Sequence, residues 1–440
     1  MKRKLSSMMV RIAGGPDLKS IARATATLLM GTAAARVVGV LTLPVLSRIY
    51  SPADFGFFVS FTAILTAIAP LVTLRFASAI PLVRTEQAAG TVAALAAFCL
   101  AGTSILLAMA CGAILYGGWE VRGIAPTVAM VTLLVAAYIL SGLYEIQSNL
   151  AIRHRLYKKL ASVSIRQSIS TSSIKIFSGL LSLKPEGLII GHVLGLSSGL
   201  VVLWKALADS SVKIHFKSKR IFHFIAHLWQ FPVFRLPSQL LLAFSAQMPI
   251  LFAASNYDIS SAGHFGVAIS LLNSVIGLAA ISFGQAFYGE IASVFRTDRG
   301  RVASITFRIQ IRLLAMGSIF SLLVFLFSPS IIRLFLGNDW KDTGIILAYL
   351  APFMAFQFAS TPVIRVMDLI RAQWIFLTVN LIRFFSILIM FYYVMNRNFD
   401  IYEFSIIYSF TMTLFYMMIS IVVFAVLKHS AFPGEKQEAP

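Results

Sequence analysis

Residues Phe404 to Leu427 read FSIIYSFTMTLFYMMISIVVFAVL, and they contain no charged side chain. The hydrocarbon core of a bilayer is about 30 Å thick, so a helix needs roughly 20 apolar residues to cross it. Because lipid offers no partner for backbone N–H and C=O groups, a stretch of this kind must be a helix. The same uncharged pattern recurs at Phe55 to Leu74, Gly123 to Tyr144 and Thr343 to Ile364. The pattern predicts an all-α integral membrane protein.

Apolar stretches of this length cover most of the chain. Composition agrees, since 58% of the residues are hydrophobic and only 12% are charged, unlike a soluble globular domain. The fifth stretch is the weakest, because it is rich in Ser and Thr and contains Lys175. The sequence therefore predicts twelve transmembrane helices, at 24–47, 55–74, 88–116, 123–144, 160–183, 187–204, 231–254, 262–288, 313–335, 343–364, 372–396 and 404–427.

The loops between these spans alternate between basic and acid-leaning. Most of the 37 Lys and Arg residues fall on the side shared by the N-terminus and the longest loop. Cytoplasmic loops carry such an excess, so both termini are predicted to be cytoplasmic. The net charge of +20 is explained by this bias and by attraction to anionic membrane lipids, and no nucleic-acid partner is expected.

Short similarities suggest that the chain consists of two related halves. Phe55-Gly56 in the second span matches Phe265-Gly266 in the eighth, and Lys175-Ile-Phe-Ser in the fifth matches Arg383-Phe-Phe-Ser in the eleventh. The two matches have nearly the same offset, although chance agreement of apolar strings is the alternative. Halves with six spans each must point the same way, which predicts two parallel six-helix lobes around a central cavity.

The predicted organisation follows from the spans and the basic loop between the halves. It has five segments: a cytoplasmic N-terminal arm at 1–20, an N-terminal lobe at 21–208, a basic cytoplasmic linker at 209–230, a C-terminal lobe at 231–428, and a polar tail at 429–440.

Several cations fall inside the predicted spans. Arg36, Lys175 and Arg383 are each central in their span, whereas Arg235 is nearer the cytoplasmic end of the seventh. Ionisable residues at membrane depth are costly, and they usually face a bundle interior or a wet cavity. A structural role, such as hydrogen bonding to neighbouring carbonyls, is the alternative for each, and snorkelling is an alternative for Arg235.

No Asp or Glu falls near the middle of a predicted span; Glu145 and Glu290 come at cytoplasmic ends. A cavity with central cations and no central carboxylate suits an anion better than a cation. The two cysteines, Cys99 and Cys111, are about 18 Å apart along one helix, too far for a disulfide. The sequence contains no metal-ligand spacing, no nucleotide-binding loop and no catalytic triad elbow, so no metal, cofactor or catalytic residue is predicted.

Proline residues interrupt corresponding spans of the two halves. Pro44 and Pro249 fall near the outer ends of the first and seventh spans, while Pro232 and Pro237 fall in the cytoplasmic part of the seventh. Proline removes a helical hydrogen bond and permits bending. These positions are predicted to be kinks or gates, with an ordinary kink as the alternative. His192, among glycines of the sixth span, is interpreted as a packing residue, with a protonation switch as the alternative.

Three segments resemble bacterial polysaccharide flippases of the multidrug/oligosaccharidyl-lipid/polysaccharide exporter superfamily. They are Pro44-Val-Leu-Ser-Arg-Ile-Tyr-Ser-Pro-Ala-Asp-Phe-Gly, Leu74-Arg-Phe-Ala-Ser-Ala-Ile-Pro-Leu and Leu334-Phe-Leu-Gly-Asn-Asp-Trp-Lys-Asp-Thr-Gly. Ala262-Gly-His-Phe-Gly-Val-Ala-Ile-Ser-Leu-Leu resembles the eighth span of that family. The resemblance covers roughly residues 25–425 in order and spacing.

The resemblance implies transport rather than an enzymatic reaction. The expected activity moves a polyprenyl-diphosphate-linked oligosaccharide to the outer leaflet of a bacterial cytoplasmic membrane, for surface polysaccharide synthesis. The first, second, seventh and eighth helices are expected to line the cavity, which favours Arg36, Arg75 and Arg235 as substrate-path residues. An H⁺ or Na⁺ gradient is the expected energy source, although the sequence shows no central carboxylate to carry the ion. Other polysaccharide-assembly membrane proteins are possible partners.

Two other functions remain open. A multidrug or metabolite exporter would have the same fold, and the absence of central acids argues against it only for cationic drugs. A membrane glycan polymerase or ligase is the second alternative, but such enzymes usually need a sizeable outer loop, and here every outer loop is short.

Overall fold

The computed structural model describes residues 18–117, 127–208, 224–225, 228–274, 276–277, 291, 299–364 and 373–430. Each predicted span contains a helix within these residues. The twelve helices are α1 Leu18–Ile49, α2 Pro52–Ile68, α3 Glu86–Tyr116, α4 Val128–Arg153, α5 Tyr157–Leu180, α6 Glu186–Ala208, α7 Leu236–Asn256, α8 259–274, α9 Arg299–Leu336, α10 Lys341–Ile364, α11 Gln373–Arg397 and α12 Ile401–Ser430. Residues 1–17 of the predicted arm, most of the predicted linker and 431–440 of the tail lie outside the described residues.

Ten helices in the described part of the chain are long and apolar enough to cross a membrane. The fifth helix is not among them, in keeping with its Ser- and Thr-rich sequence. It nevertheless forms a helix from Tyr157 to Leu180, about 36 Å long at 1.5 Å per residue. It is packed between α1 and α6, so it does not have to rely on its own hydrophobicity.

The second and fourth spans differ from the prediction. The second was expected as one helix to Leu74, but α2 ends at Ile68 and gives way to two short 3₁₀ turns, Ala69–Leu71 and Phe76–Leu82. Leu74 and Arg75 separate the turns with φ angles of 47° and 64°. The fourth span was expected to end at Tyr144, but the Thr127 side chain caps α4 and the helix continues to Arg153.

Helix contacts divide the chain into two halves. In the first half, α5 packs on α1 and α6, and α4 packs on α3 and α6. In the second, α10 packs on α9 and α12, and α11 packs on α7 and α12. The halves meet where α2 runs beside α7. Helix α2 also approaches α8 at Gly56, where a Cβ atom would collide with the Ile259 carbonyl.

Candidate functional site

A cavity of about 340 Å³ lies between α1, α2, α5, α6 and α8. The resemblance implied a lining from the first, second, seventh and eighth helices. In the described residues, α5 and α6 take the place expected for α7. The polar and titratable side chains of the lining are Thr42, Gln167, Ser168, Thr171, Ser172, Lys175, His192 and Ser270.

Helix α6 brings the polar face of α5 to this cavity. Gly191 lies against Lys175, and side chains at Gly195 and Gly199 would collide with Thr171 and Gln167. Small residues four apart let two helices approach closely. The glycines therefore leave room for polar side chains that bulkier residues would exclude from between the helices.

Lys175 is the buried cation of the cavity, with 8% of its surface exposed. Its Nζ atom lies 3.7 Å from the centre of the Phe58 ring. Among the described residues, no carboxylate lies within 4.0 Å of this ammonium group. The Tyr50 hydroxyl donates to the Lys175 carbonyl at 2.8 Å and fixes the backbone there. The ammonium group is attracted to an aromatic face and has no counter-charge among the described side chains, so it can accept an anion.

His192 is a cavity residue that sequence reasoning interpreted as a packing residue. Its ring meets Phe58 edge-on, with the centroids 5.9 Å apart. Phe58 therefore has Lys175 over its face and His192 beside it. The glycines around His192 were the available signal, because they mark a helix face that another chain segment approaches closely.

Arg36 lies close to the cavity but does not line it. Its Nη1 atom donates to the carbonyls of Asn273 and Ser274 on α8, at 3.1 and 3.4 Å. Gly277 leaves space for the guanidinium, which a Cβ atom at that position would occupy. In this arrangement Arg36 joins the two halves, and its predicted role in substrate binding stays a prediction.

Arg75 is paired with Glu145, a residue that the sequence placed at the cytoplasmic end of its span and for which it predicted no partner. Arg75 Nη1 donates to Glu145 Oε1 at 3.2 Å, and Thr73 Oγ1 donates to Glu145 Oε2 at 3.0 Å. Glu145 lies about 12 Å of helix rise before the end of α4 at Arg153, so it is inside the helix. The sequence named this carboxylate but did not predict its pairing with Arg75, because the two residues are 70 positions apart.

Arg235 and Arg383 are also absent from the described cavity lining. Arg235 is exposed, and its guanidinium lies 5.3 Å from the Phe231 ring. Arg383 lies beside Tyr408 and 5.7 Å from the Phe415 ring, within the second half of the chain. The structure therefore brings Lys175 to the cavity and leaves the other predicted cations elsewhere.

The predicted kink residues have different surroundings. Pro232 lies in a π-helical turn, Phe231–Arg235, and Pro237 follows at the start of α7. Such turns mark an interruption of regular hydrogen bonding. Pro44 and Pro249 lie within α1 and α7. A gating role for these four residues stays a prediction.

Trp340 closes the contact between the halves at the end that the sequence predicts to face outwards, which we call the outer contact. Residue-by-residue reasoning did not assign Trp340 a role. Its indole Nε1 donates to the Ser47 carbonyl at 3.3 Å. Its ring lies edge-on to Phe55 with centroids 5.0 Å apart. His264 on α8 faces the same ring and hydrogen-bonds Thr343 at 2.9 Å. The family-like segments quoted above contain Ser47, Phe55, His264 and Trp340, which was the available signal.

Solved structures with this fold span nearly the whole chain. The lipid II flippase MurJ in an inward closed conformation has a TM-score of 0.67 at 15% identity, over 92% of this chain and 90% of that one. A point mutant of the Vibrio cholerae MATE transporter VcmN has a TM-score of 0.60 at 12% identity, over 93% and 97%. A MOP superfamily transporter from Pyrococcus furiosus has a TM-score of 0.58 at 16% identity, over 94% and 95%. These likenesses confirm the predicted fold of twelve helices in two lobes.

The family is shown by the sequence itself. No curated protein matches the chain. The sequence profile described as "Polysaccharide biosynthesis protein" matches residues 45–345, which is more than half of the chain. The chain is therefore a multi-pass membrane protein that belongs to the polysaccharide biosynthesis protein family and has the fold of the MOP superfamily.

Proposed function

We propose that this protein is a flippase for polyprenyl-diphosphate-linked oligosaccharides. It moves them by alternating access from the cytoplasmic to the outer leaflet of a bacterial cytoplasmic membrane, for surface polysaccharide synthesis. The observation that carries the proposal is Lys175, a buried ammonium group in a membrane cavity without a nearby described carboxylate. The family match supports the same substrate class.

The chemistry of the cavity suits a sugar phosphate. The ammonium group of Lys175 attracts phosphate oxygens, and its attraction grows where water is excluded. Gln167, Thr171 and Ser172 offer amide and hydroxyl groups, which suit sugar hydroxyls. Phe58 offers an aromatic face beside them. A cationic drug would meet the ammonium group as a like charge.

Arg36 completes the proposed path. A guanidinium can bind phosphate with two parallel hydrogen bonds, which a lysine cannot reproduce. Arg36 now donates to two carbonyls of α8, so binding a diphosphate requires exchange of these partners. In our proposal, the arrival of the diphosphate replaces a contact between the lobes with a contact to substrate.

The test uses purified protein in liposomes with a fluorescent polyprenyl-diphosphate-linked N-acetylglucosamine. Outer-leaflet probe is quenched by a membrane-impermeant reductant, so flipping is measured as the rate of further quenching. We expect Lys175→Ala to lower this rate at least tenfold and Lys175→Arg to retain part of it. The matched control is Lys184→Ala, at an exposed lysine near the outer turn after α5. A parental rate in well-folded Lys175→Ala protein would contradict the proposal.

An exporter of small anionic metabolites is the second candidate. The described cavity, at about 340 Å³, falls in the size range of sites for small molecules, and it is small for an oligosaccharide. Liposomes loaded with a fluorescent organic anion distinguish the two functions. Anion efflux that depends on Lys175, without flipping of the lipid-linked sugar, would favour the exporter.

A further inference from the structure

Glu145 differs from the other acids in the described residues because it lies in the interior of a helix long and apolar enough to cross a membrane. The other described Asp and Glu side chains lie in turns or first helical turns, at Asp54, Glu86, Glu186, Asp258, Asp339, Asp342, Asp400 and Glu403. Glu145 lies inside α4 and keeps 21% of its side chain accessible, while Arg75 keeps 26%. Acids within membrane spans usually mark ion or proton pathways.

The segment that supplies Arg75 is under backbone strain. Leu74 and Arg75 both have left-handed φ angles, which residues other than glycine rarely adopt. The Arg75 Nε atom is buried and has no hydrogen-bond partner. The guanidinium therefore binds Glu145 through one nitrogen rather than as a two-pronged fork. The ion pair holds a strained turn and leaves a polar atom unsatisfied.

This turn leads directly to the contact between the lobes. The 3₁₀ turn Phe76–Leu82 begins right after Arg75 and contacts the π-helical turn Phe231–Arg235 of the second half. Phe231 also packs against the hydrophobic core of the first half. A change in the Arg75–Glu145 pair can therefore reach the contact between the two halves on the cytoplasmic side.

We propose that Glu145 is the proton-binding site that couples this contact to a pH gradient. A proton from water adds to a carboxylate oxygen, so the ion pair becomes a neutral acid beside an unpaired guanidinium. The site gains one positive charge, the attraction that holds Arg75 weakens, and the strained turn relaxes. Loss of the proton to water restores the pair. Proton binding does not depend on the proposed substrate, but its use in transport rests on the proposed function.

The described elements around Glu145 carry the following charged, titratable or hydrogen-bonding groups. Arg75 faces it from the 69–82 segment, and Tyr138 on α4 interacts with it electrostatically. The neighbouring helix α3 contributes the Thr103 hydroxyl, which donates to the Val72 carbonyl. Glu86 at the start of α3 is engaged with Arg153 and His154. On α6, the His192 ring packs edge-on against Phe58.

The test measures the lobe contact without substrate. Spin labels are placed at Leu82→Cys and Val233→Cys, two exposed positions on the contacting turns. The background carries Cys99→Ser and Cys111→Ser, because both native thiols are free. We expect acidification of the full-length protein in nanodiscs to shift the distance distribution between the labels. Glu145→Gln, which keeps the shape and removes the charge, should give the acid distribution at every pH.

Controls separate this site from a general pH effect. Glu86→Gln, at a carboxylate that also pairs with basic side chains, should leave the pH shift unchanged. Infrared difference spectra should show a protonated-carboxyl band that disappears in Glu145→Gln. The proposal is overturned if the distance between the labels does not change with pH in the parental protein. It is also overturned if Glu145→Gln shows the same pH-dependent shift as the parental protein.

A transport measurement separates this proposal from the proposed function. For one coupled proton, a gradient of one pH unit changes the equilibrium substrate ratio by about tenfold. Glu145→Gln should remove this dependence in the liposome assay. A distance shift that depends on Glu145, without any flipping of the sugar lipid, would support the proton site and contradict the proposed substrate. Flipping that depends on Lys175 but still responds to the pH gradient in Glu145→Gln would support the substrate and contradict the proton site.

Discussion

The outer and inner contacts between the two lobes are built from different chemistry. On the side predicted to face outwards, α2 and α8 approach through glycines, and Trp340 packs among Ser47, Phe55 and His264. Towards the end predicted to face the cytoplasm, Arg36 donates to carbonyls of α8, and the turn after Arg75 meets the π-helical turn that precedes α7; this is the inner contact. The outer contact depends on shape and the inner one on charge. A transport cycle must therefore break two contacts with different sensitivities.

The largest effect is expected where the outer contact is tightest. A Cβ atom at Gly263 would collide with the Pro52 carbonyl, and backbone cannot move aside as a flexible side chain can. Gly263→Leu should separate α2 from α8 and expose Ser47, which is 9% accessible. We expect Ser47→Cys to react with an impermeant maleimide at least tenfold faster in this background. Gly102→Leu is the matched control, because Gly102 faces open space. Equal labelling rates would show that the outer contact tolerates the added volume.

Two substitutions of Trp340 distinguish the contribution of packing from that of hydrogen bonding in the outer contact. Trp340→Ala removes a fully buried ring, which costs about 3–5 kcal/mol in protein cores. Trp340→Phe keeps an aromatic ring and loses the bond to the Ser47 carbonyl, so about 1 kcal/mol is expected. Thermal unfolding of the purified protein measures both, with Trp204→Phe as the control at an exposed tryptophan. Equal losses for Ala and Phe would mean that the hydrogen bond, and not the ring, holds the contact.

The inner contact is tested through Gly277. A Cβ atom there would take the space of the Arg36 guanidinium, so Gly277→Ala should displace it from the Asn273 and Ser274 carbonyls. Hydrogen bonds from a charged donor contribute about 1.5–3 kcal/mol. Combining Gly277→Ala with Arg36→Ala should add little further destabilisation, since both changes remove the same interaction. Fully additive losses in thermal unfolding would contradict this link.

The smallest effect is expected at Thr343, at the edge of the outer contact. Thr343→Val keeps the shape and removes the hydrogen bond to His264, for a loss of about 1 kcal/mol. The outer contact should keep its geometry, because Trp340 and the glycines remain. Maleimide labelling of Ser47→Cys should therefore stay at the parental rate while unfolding occurs slightly earlier. A large rise in labelling would make His264 a principal support of the contact.

Sequence reasoning reached the helices because hydrophobicity is a local property. It also singled out Lys175, which the structure places in the cavity lining, since one charge in a span is visible without knowing its neighbours. The Arg75–Glu145 pair joins residues 70 positions apart, and Arg36 reaches a partner 237 positions away. No local pattern encodes such partners. The break after Ile68 did have a local signal in Pro70, but the residues around it are as apolar as the helix, so hydrophobicity alone extended the span to Leu74.

The polar face of α5 has a consequence for how the protein enters the membrane during synthesis. A segment rich in Ser and Thr partitions poorly into lipid when it leaves the translocon alone. Helix α6 follows after a short turn, and its glycines accept the polar face of α5. The two helices therefore have reason to insert together as a hairpin. Bulky residues at Gly191, Gly195 or Gly199 would then impair the membrane insertion of α5 during synthesis, before the cavity has formed.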